Sequence, residues 1–172
     1  MVGAVAFGIG FVAAGNGETE TTTRTVFATT TITTTEAVAG ALPARVERTR
    51  AAIHRAATDR DYEALAKLIP PTGFSYSFGA PVDGGATAYW RRLEARGERP
   101  LETLAQILEL PYSLRQGLYV WPFAYGLPKS ELTAYERSLL GPLVRSYAGQ
   151  DYYGWRAGIR PDGAWQFFVA GD

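Results

Sequence analysis

The sequence predicts an α+β fold, a single compact domain with a small mixed or antiparallel sheet, about five helices and a C-terminal β-hairpin. Apolar residues recur at helical spacing in several segments. Shorter runs that alternate or are rich in aromatic residues separate these segments. Near the C-terminus, a Pro-Asp-Gly turn lies between two such runs, as in a hairpin. Interspersed helices and a small sheet define the α+β class.

Two helices are predicted at the start of this domain. The first begins near Pro43, a residue suited to a first helical turn. Its apolar stripe changes face near residues 58–61, which predicts a break there. Asp59 and Asp61 are suitable N-caps for a second helix, which Pro70 ends.

Strands and helices then alternate. Residues 74–78 alternate apolar and small polar side chains, which predicts a half-buried strand. Residues 87–96 and 100–110 have helical spacing. Residues 117–126 have the composition of a strand, but Pro122 cannot donate to a ladder, which indicates an edge position or a bulge.

The C-terminal third is predicted to form one helix and the hairpin. Thr133 and Glu136 have the spacing of a capping box, which starts a helix. Gly141-Pro142 interrupts or bends that helix. Residues 152–159 and 164–170 form the two strands of the hairpin.

The chain is predicted to have three parts. Residues 1–15 form an apolar membrane-anchor or signal-like segment, residues 16–42 a Thr-rich stalk or linker, and residues 43–172 the globular domain. A helix of the uncharged residues 2–15 would span only about 21 Å of a hydrocarbon core of about 30 Å. A signal peptide, an anchor that starts further upstream and a buried helix of the domain therefore stay open.

The linker is predicted from its high content of threonine. Eleven of the seventeen residues from 19 to 35 are Thr, which is typical of a low-complexity stalk, although a β-strand stays an alternative. An apolar segment, a Thr tract and a compact domain together resemble the layout of bacterial cell-envelope proteins. This resemblance covers residues 1–42. It implies a bacterial membrane location, with a single N-terminal anchor and the domain on the extracytoplasmic side.

Composition excludes several function classes. The net charge is zero, with 17 basic and 17 acidic residues, so no overall field attracts nucleic acid. Cysteine is absent and His54 is the one histidine, which excludes thiolate and multi-histidine metal sites. A Ser-His-Asp triad would require His54. Gly84-Gly85 lacks the Lys-Ser/Thr partner of a phosphate-binding loop. We therefore expect no metal, no cofactor and no nucleic-acid partner.

The two opening helices resemble a known family. Residues 51–69, Ala-Ala-Ile-His-Arg-Ala-Ala-Thr-Asp-Arg-Asp-Tyr-Glu-Ala-Leu-Ala-Lys-Leu-Ile, are similar to the paired opening helices of NTF2-like domains. The resemblance implies a cone-shaped α+β fold with a pocket between a curved sheet and those helices. It carries over no catalytic residue, because the Asp and His pair that the family's enzymes use has no match here.

An aromatic row is the candidate binding site. Odd positions of the strand predicted at 117–126 are aromatic, and four aromatic residues on one strand face indicate either core or an aromatic-lined groove. Nearby residues 153–156 add two more aromatic side chains and an anion contact. The predicted ligand-binding residues are Tyr119, Trp121, Tyr125, Tyr153, Trp155 and Arg156.

Three functions follow as hypotheses. The first is non-catalytic binding of a small molecule, a glycan or an envelope protein in the aromatic groove, favoured because most catalytic groups are missing. The second is a carboxylate-dependent envelope enzyme of the glycan hydrolase type, which needs two acids across a cleft. Four glutamates from 94 to 109 are spaced to lie partly together, but arginines interleave with them. The third is a purely structural or assembly role.

Overall fold

The computed structural model describes residues 37–38, 41–79 and 82–171, and of residues 37–38 only the backbone. These residues form the predicted α+β fold, with five α-helices and a five-stranded antiparallel sheet. The predicted membrane-anchor segment and most of the predicted linker lie outside the described residues. Within the described part, no helix has the length and apolar character to cross a membrane.

The helices agree closely with the predicted segments. In chain order the helices are α1 Ala44–Thr58, α2 Tyr62–Leu68, α3 Gly85–Ala95, α4 Pro100–Glu109 and α5 Ala134–Leu140. Two 3₁₀ helices, Lys129–Glu131 and Gly141–Ser146, flank α5.

The strands form two sheets. In chain order they are β1 Ala37–Val38, β2 Tyr112–Arg115, β3 Leu118–Trp121, β4 Tyr147–Ala148, β5 Asp151–Tyr152, β6 Arg156–Ile159 and β7 Trp165–Val169. The larger sheet has the order β1-β2-β3-β6-β7, and β4 pairs with β5. Strand β1 lies inside the range predicted as linker and pairs with β2.

Local signals explain where several helices begin and end. The break between α1 and α2 lies where the apolar stripe changes face, and the Asp61 carboxylate accepts hydrogen bonds from the backbone N–H groups of Glu63 and Ala64 at 3.1 and 2.9 Å. The predicted capping box of α5 is also present, formed by Thr133 and Glu136. Both helix starts are therefore fixed by side chains that the sequence identifies.

Three predicted strands differ from the observed ones. The range predicted as one strand at 152–159 is divided between β5 and β6, which belong to different sheets. Residues 74–78 do not form a strand, and only Ser75 makes a bridge, parallel to Phe167 of β7. The strand predicted at 117–126 ends at Trp121, and the peptide bond between Trp121 and Pro122 is cis. Strand β2 was not predicted. It forms a hairpin with β3 through Gln116 and Gly117, which both have positive φ.

The main core lies between the sheet and helices α1–α4. Its largest fully buried side chains include Trp90 of α3 together with Trp121, Trp165 and Phe168 of the sheet. The Trp90 ring lies 5.8 Å from that of Trp165 and 5.5 Å from that of Phe168, within the range of aromatic packing. These buried rings pack one face of the sheet against the helices. Helices α1–α4 do not cover the other face.

Candidate functional site

The two faces of the larger sheet have different surroundings. Paired residues of an antiparallel ladder point to the same face. The register therefore puts one set on the side that we call the outer face: Ser113, Arg115, Leu118, Val120, Arg156, Gly158, Phe167 and Val169. The alternate residues form the inner face, which packs against α1–α4. The outer face combines apolar side chains with two arginines.

Phe167 lies at the centre of the outer face, directly over Gly158 of the neighbouring strand. A Cβ built on Gly158 would be closer to three atoms of the Phe167 ring than carbon atoms can approach. Glycine is therefore required at this position for the ring to cover β6. Phe167 is only half-buried, so part of its ring surface stays accessible.

The backbone after β3 turns across the outer face and brings Tyr125 and Gly126 against it. The Phe123 N–H donates to the Pro111 carbonyl at 2.8 Å, and the Phe123 side chain is fully buried in a second apolar cluster. The Tyr147 hydroxyl lies 3.1 Å from the carbonyl oxygens of both Ala124 and Leu127. These contacts hold the segment from both sides of Tyr125.

Tyr147 is itself buried within the second cluster. Burial raises the pKa of the Tyr147 hydroxyl to about 12, and the Glu136 carboxylate adds to this shift. Burial also raises the pKa of Tyr152, whose ring lies 5.4 Å from the Tyr147 ring. Both hydroxyls therefore stay neutral donors at physiological pH.

Arg156 joins the outer face to the aromatic side chains around it. Its side chain is 5% exposed. The guanidinium lies 4.8 Å from the centre of the Tyr125 ring and 5.2 Å from that of the Phe78 ring, which are cation–π distances. Phe78 is 60% exposed, so its ring forms an open rim of this cluster.

Two adjoining cavities occupy the outer face, and we call them together the outer groove. The larger has a volume of about 370 Å³ and the smaller about 200 Å³, and both are lined by Tyr125 and Phe167. The larger is also lined by Arg115, Gln116, Leu118, Val120 and Gly126. The smaller is also lined by Ser75, Phe78, Arg156 and Val169. Apolar walls with a few polar groups are typical of small-molecule sites.

The predicted site residues divide between the two sides of the sheet. Only Tyr125 and Arg156 meet in the outer groove. Trp121 is 1% exposed and belongs to the core, where its ring lies 5.7 Å from that of Tyr112. Tyr119 and Trp155 are partly buried against the same core.

Tyr153 is 40% exposed and does not line the outer groove as the described residues define it. The aromatic row separates because β3 ends at Trp121, so the later residues no longer follow strand alternation.

Sequence reasoning missed Phe167, Phe78 and Arg115. Residues 164–170 were predicted as a strand, and alternation alone puts Phe167 and Phe168 on opposite faces. A glycine within the neighbouring strand, Gly158, was a second signal, because glycine in a strand often marks close approach of another group. Arg115 could not be found, because β2 itself was not predicted.

A second cleft lies among the helices, with a volume of about 360 Å³. Three glutamates line it, and each has a basic side chain as its partner: Glu94 has Arg60 at 2.8 Å, Glu102 has Arg99 at 3.0 Å, and Glu109 has His54 at 3.0 Å. Among the described residues, no three acidic or histidine side chains converge as a metal site would require. The cleft therefore has carboxylates, but each is paired separately with a basic side chain.

No protein-family model, curated protein or solved structure matches the chain. The resemblance to NTF2-like domains stays a prediction. The space between the sheet and the opening helices holds buried core side chains, so the outer groove lies on the other face of the sheet from the pocket that this resemblance implies.

Proposed function

We propose that the domain is a non-catalytic binding module that takes a small, ring-bearing apolar molecule in the outer groove. The observation that carries this proposal is the position of Phe167, a half-buried ring that lies over Gly158 and lines both cavities. An aromatic ring held against a strand offers a rigid stacking surface at little cost in conformational entropy.

The size of the groove favours a small molecule over a protein partner. Small-molecule sites usually have volumes of about 300–1,000 Å³, and the larger cavity of about 370 Å³ lies within this range. A stable protein interface buries about 800 Å² on each partner, far more than this groove offers.

A fluorescent probe of that class tests the proposal. N-phenylnaphthylamine, a neutral aromatic compound that fluoresces in apolar surroundings, is titrated into the protein. Phe78→Ala and Phe167→Leu should weaken its binding about tenfold, corresponding to roughly 1.4 kcal/mol for a lost aromatic contact. Tyr135→Ala removes a ring that is 70% exposed on α5 and is the matched control, with no change expected.

Absence of probe binding to the wild-type protein would reject the proposal. Equal affinity in the wild-type protein and in both groove variants would reject it too, since the probe would then bind elsewhere. Circular dichroism on each variant checks that the fold is intact.

We also propose that residues 1–15 hold this module at the outer side of a bacterial membrane. The support is the uncharged N-terminal segment followed by the Thr tract. Deleting residues 1–15 should shift the protein out of the membrane fraction of expressing cells. External protease should degrade the full chain in intact cells, and protection from it would contradict the extracytoplasmic location.

A carboxylate-dependent hydrolase is the second candidate, favoured by the three glutamates of the helical cleft. Retaining or inverting glycan hydrolysis needs one acid that carries a proton and one that does not. The arginines beside Glu94 and Glu102 oppose the proton-carrying role at those two residues. If the candidate is correct, Glu94→Gln abolishes release of reducing ends from soluble glycans, and Glu63→Gln, an exposed residue of α2, does not. If the wild-type protein releases no reducing ends, the hydrolase candidate is rejected.

A further inference from the structure

Arg115 lines the larger cavity of the outer groove in a fixed orientation. It is the last residue of β2 and pairs with Leu118 across the hairpin. Its guanidinium packs on Gly126, where a built Cβ would be 2.5 Å from the Arg115 Cζ atom. The Arg115 Nη2 donates a hydrogen bond to the Gly126 carbonyl. The backbone at Gly126 therefore holds the charged group against the groove wall.

No carboxylate of the described residues neutralises Arg115. It forms no ion pair in this part of the chain, although six other basic side chains do: Arg50, His54, Arg60, Arg96, Arg99 and Arg160. Its Nε is buried without a hydrogen-bond partner, and Nη1 is neither hydrogen-bonded nor fully buried. A bound anion at Nη1 would accept a charge-assisted hydrogen bond there and would neutralise the guanidinium charge.

The larger cavity of the outer groove has a positive group beside Phe167. Among the described residues that line this cavity, Arg115 is the charged one, and none is Asp or Glu. Since the net charge of the protein is zero, this positive charge is local and not a consequence of composition. Charge complementarity therefore selects an anion.

We propose that the ligand of the outer groove carries one anionic group of the carboxylate or sulfonate type, which pairs with Arg115 while its apolar part covers Phe167. This inference rests on the proposed binding function and adds the charge of the ligand to it. The Nη1 group of Arg115 can donate a charge-assisted hydrogen bond to such an oxyanion.

Two probes with the same aromatic skeleton distinguish the contribution of the anionic group to the binding affinity from that of the apolar contact. Anilinonaphthalene sulfonate is an anion, and N-phenylnaphthylamine lacks the sulfonate. The wild-type protein should bind the sulfonate at least tenfold more tightly. Arg115→Gln should remove that preference, because it should lower the affinity for the sulfonate much more than the affinity for the neutral probe. Arg115→Lys keeps the charge and should retain part of the preference. Arg145→Gln, at an exposed arginine away from the groove, is the matched control and should behave as the wild type.

The outcomes distinguish failure of this inference from failure of the binding function. If neither probe binds, the proposed function itself is wrong. If the wild-type protein binds both probes equally, or binds the neutral probe more tightly, the groove binds apolar molecules, and the proposal of an anionic ligand is wrong. If Arg145→Gln lowers sulfonate binding as much as Arg115→Gln does, the preference is a general surface effect and the role of Arg115 is overturned.

Discussion

Gly158 is the residue on which the shape of the outer groove most depends. The Phe167 ring occupies the space that a side chain at position 158 would need. Gly158→Ala should therefore displace the ring, lower the free energy of unfolding by about 1–3 kcal/mol and weaken binding of N-phenylnaphthylamine. Gly79→Ala is the control, since its Cβ would lie 3.8 Å from the Ser77 Oγ atom, an ordinary contact.

Denaturant unfolding and probe titration measure both effects of Gly158→Ala. A variant with unchanged stability and unchanged affinity would show that the ring does not depend on the space above Gly158. A loss of affinity without a loss of stability would still agree with the site, because a half-buried ring can turn outward without unfolding β6.

The sequence predicts the role of a single residue well where that role depends on its immediate neighbours in the chain. Asp61 and Thr133 are helix caps because their oxygens reach the backbone N–H groups that follow. For Trp121 the sequence offers no such local relationship. Composition cannot say which face of a strand is covered, and its ring belongs to the core. Arg115 was missed because its role arises from contact with Gly126, eleven residues away.

At the scale of elements, the β2–β3 hairpin is strained in a way that predicts a stabilising substitution. Gln116 has φ 49° and Gly117 φ 77°, so the two-residue turn has positive φ at both positions. Asn tolerates this region better than Gln. Gln116→Asn should raise the free energy of unfolding by about 0.5–1 kcal/mol, measured by denaturant unfolding. A destabilised variant would show that the Gln116 side chain makes a contact that outweighs its backbone strain.

The segment after β3 depends on Tyr147, which predicts a pH effect. Its pKa is raised from 10 to about 12 in the folded protein, so the folded state holds the proton more tightly than the unfolded state. This contribution to stability is complete below pH 10 and is lost as the pH rises from 10 to about 12. Tyr147→Phe should cost about 1 kcal/mol at neutral pH.

Above pH 10, Tyr147→Phe should also show a shallower loss of stability than the wild type, measured by denaturant unfolding across that range. Tyr135→Phe, at an exposed tyrosine, should follow the wild-type profile. Identical slopes for Tyr147→Phe and the wild type would contradict the buried neutral hydroxyl.

Elements were predicted best where periodicity was long. Helix α4 has apolar residues at i, i+3, i+4 and i+7, and its observed range differs by one residue from the prediction. Strand β2 has four residues and no clear alternation, so it could not be distinguished from a loop. The run at 117–126 has strand composition throughout, but the chain leaves the sheet at Trp121 to place Tyr125 over Arg156. The composition of a segment does not predict such tertiary packing.

At the scale of the whole molecule, the sheet separates a packed core from the surface that we propose binds the ligand. The inner face is covered by α1–α4, and the outer face carries a groove with aromatic and arginine side chains. The fold class follows from the sequence because it depends on the order and type of elements. The groove does not, because it depends on which face those helices cover.

Backbone amide chemical shifts, recorded by NMR with and without anilinonaphthalene sulfonate, report whether the outer groove binds an aromatic anion. We expect the largest changes at Leu118, Val120, Tyr125 and Phe167, around the outer groove. The changes should follow a saturable curve. Changes centred on Glu94, Glu102 and Glu109 would place binding in the helical cleft, and an absence of localised changes would show that the outer groove binds no such anion. Either result would contradict the account.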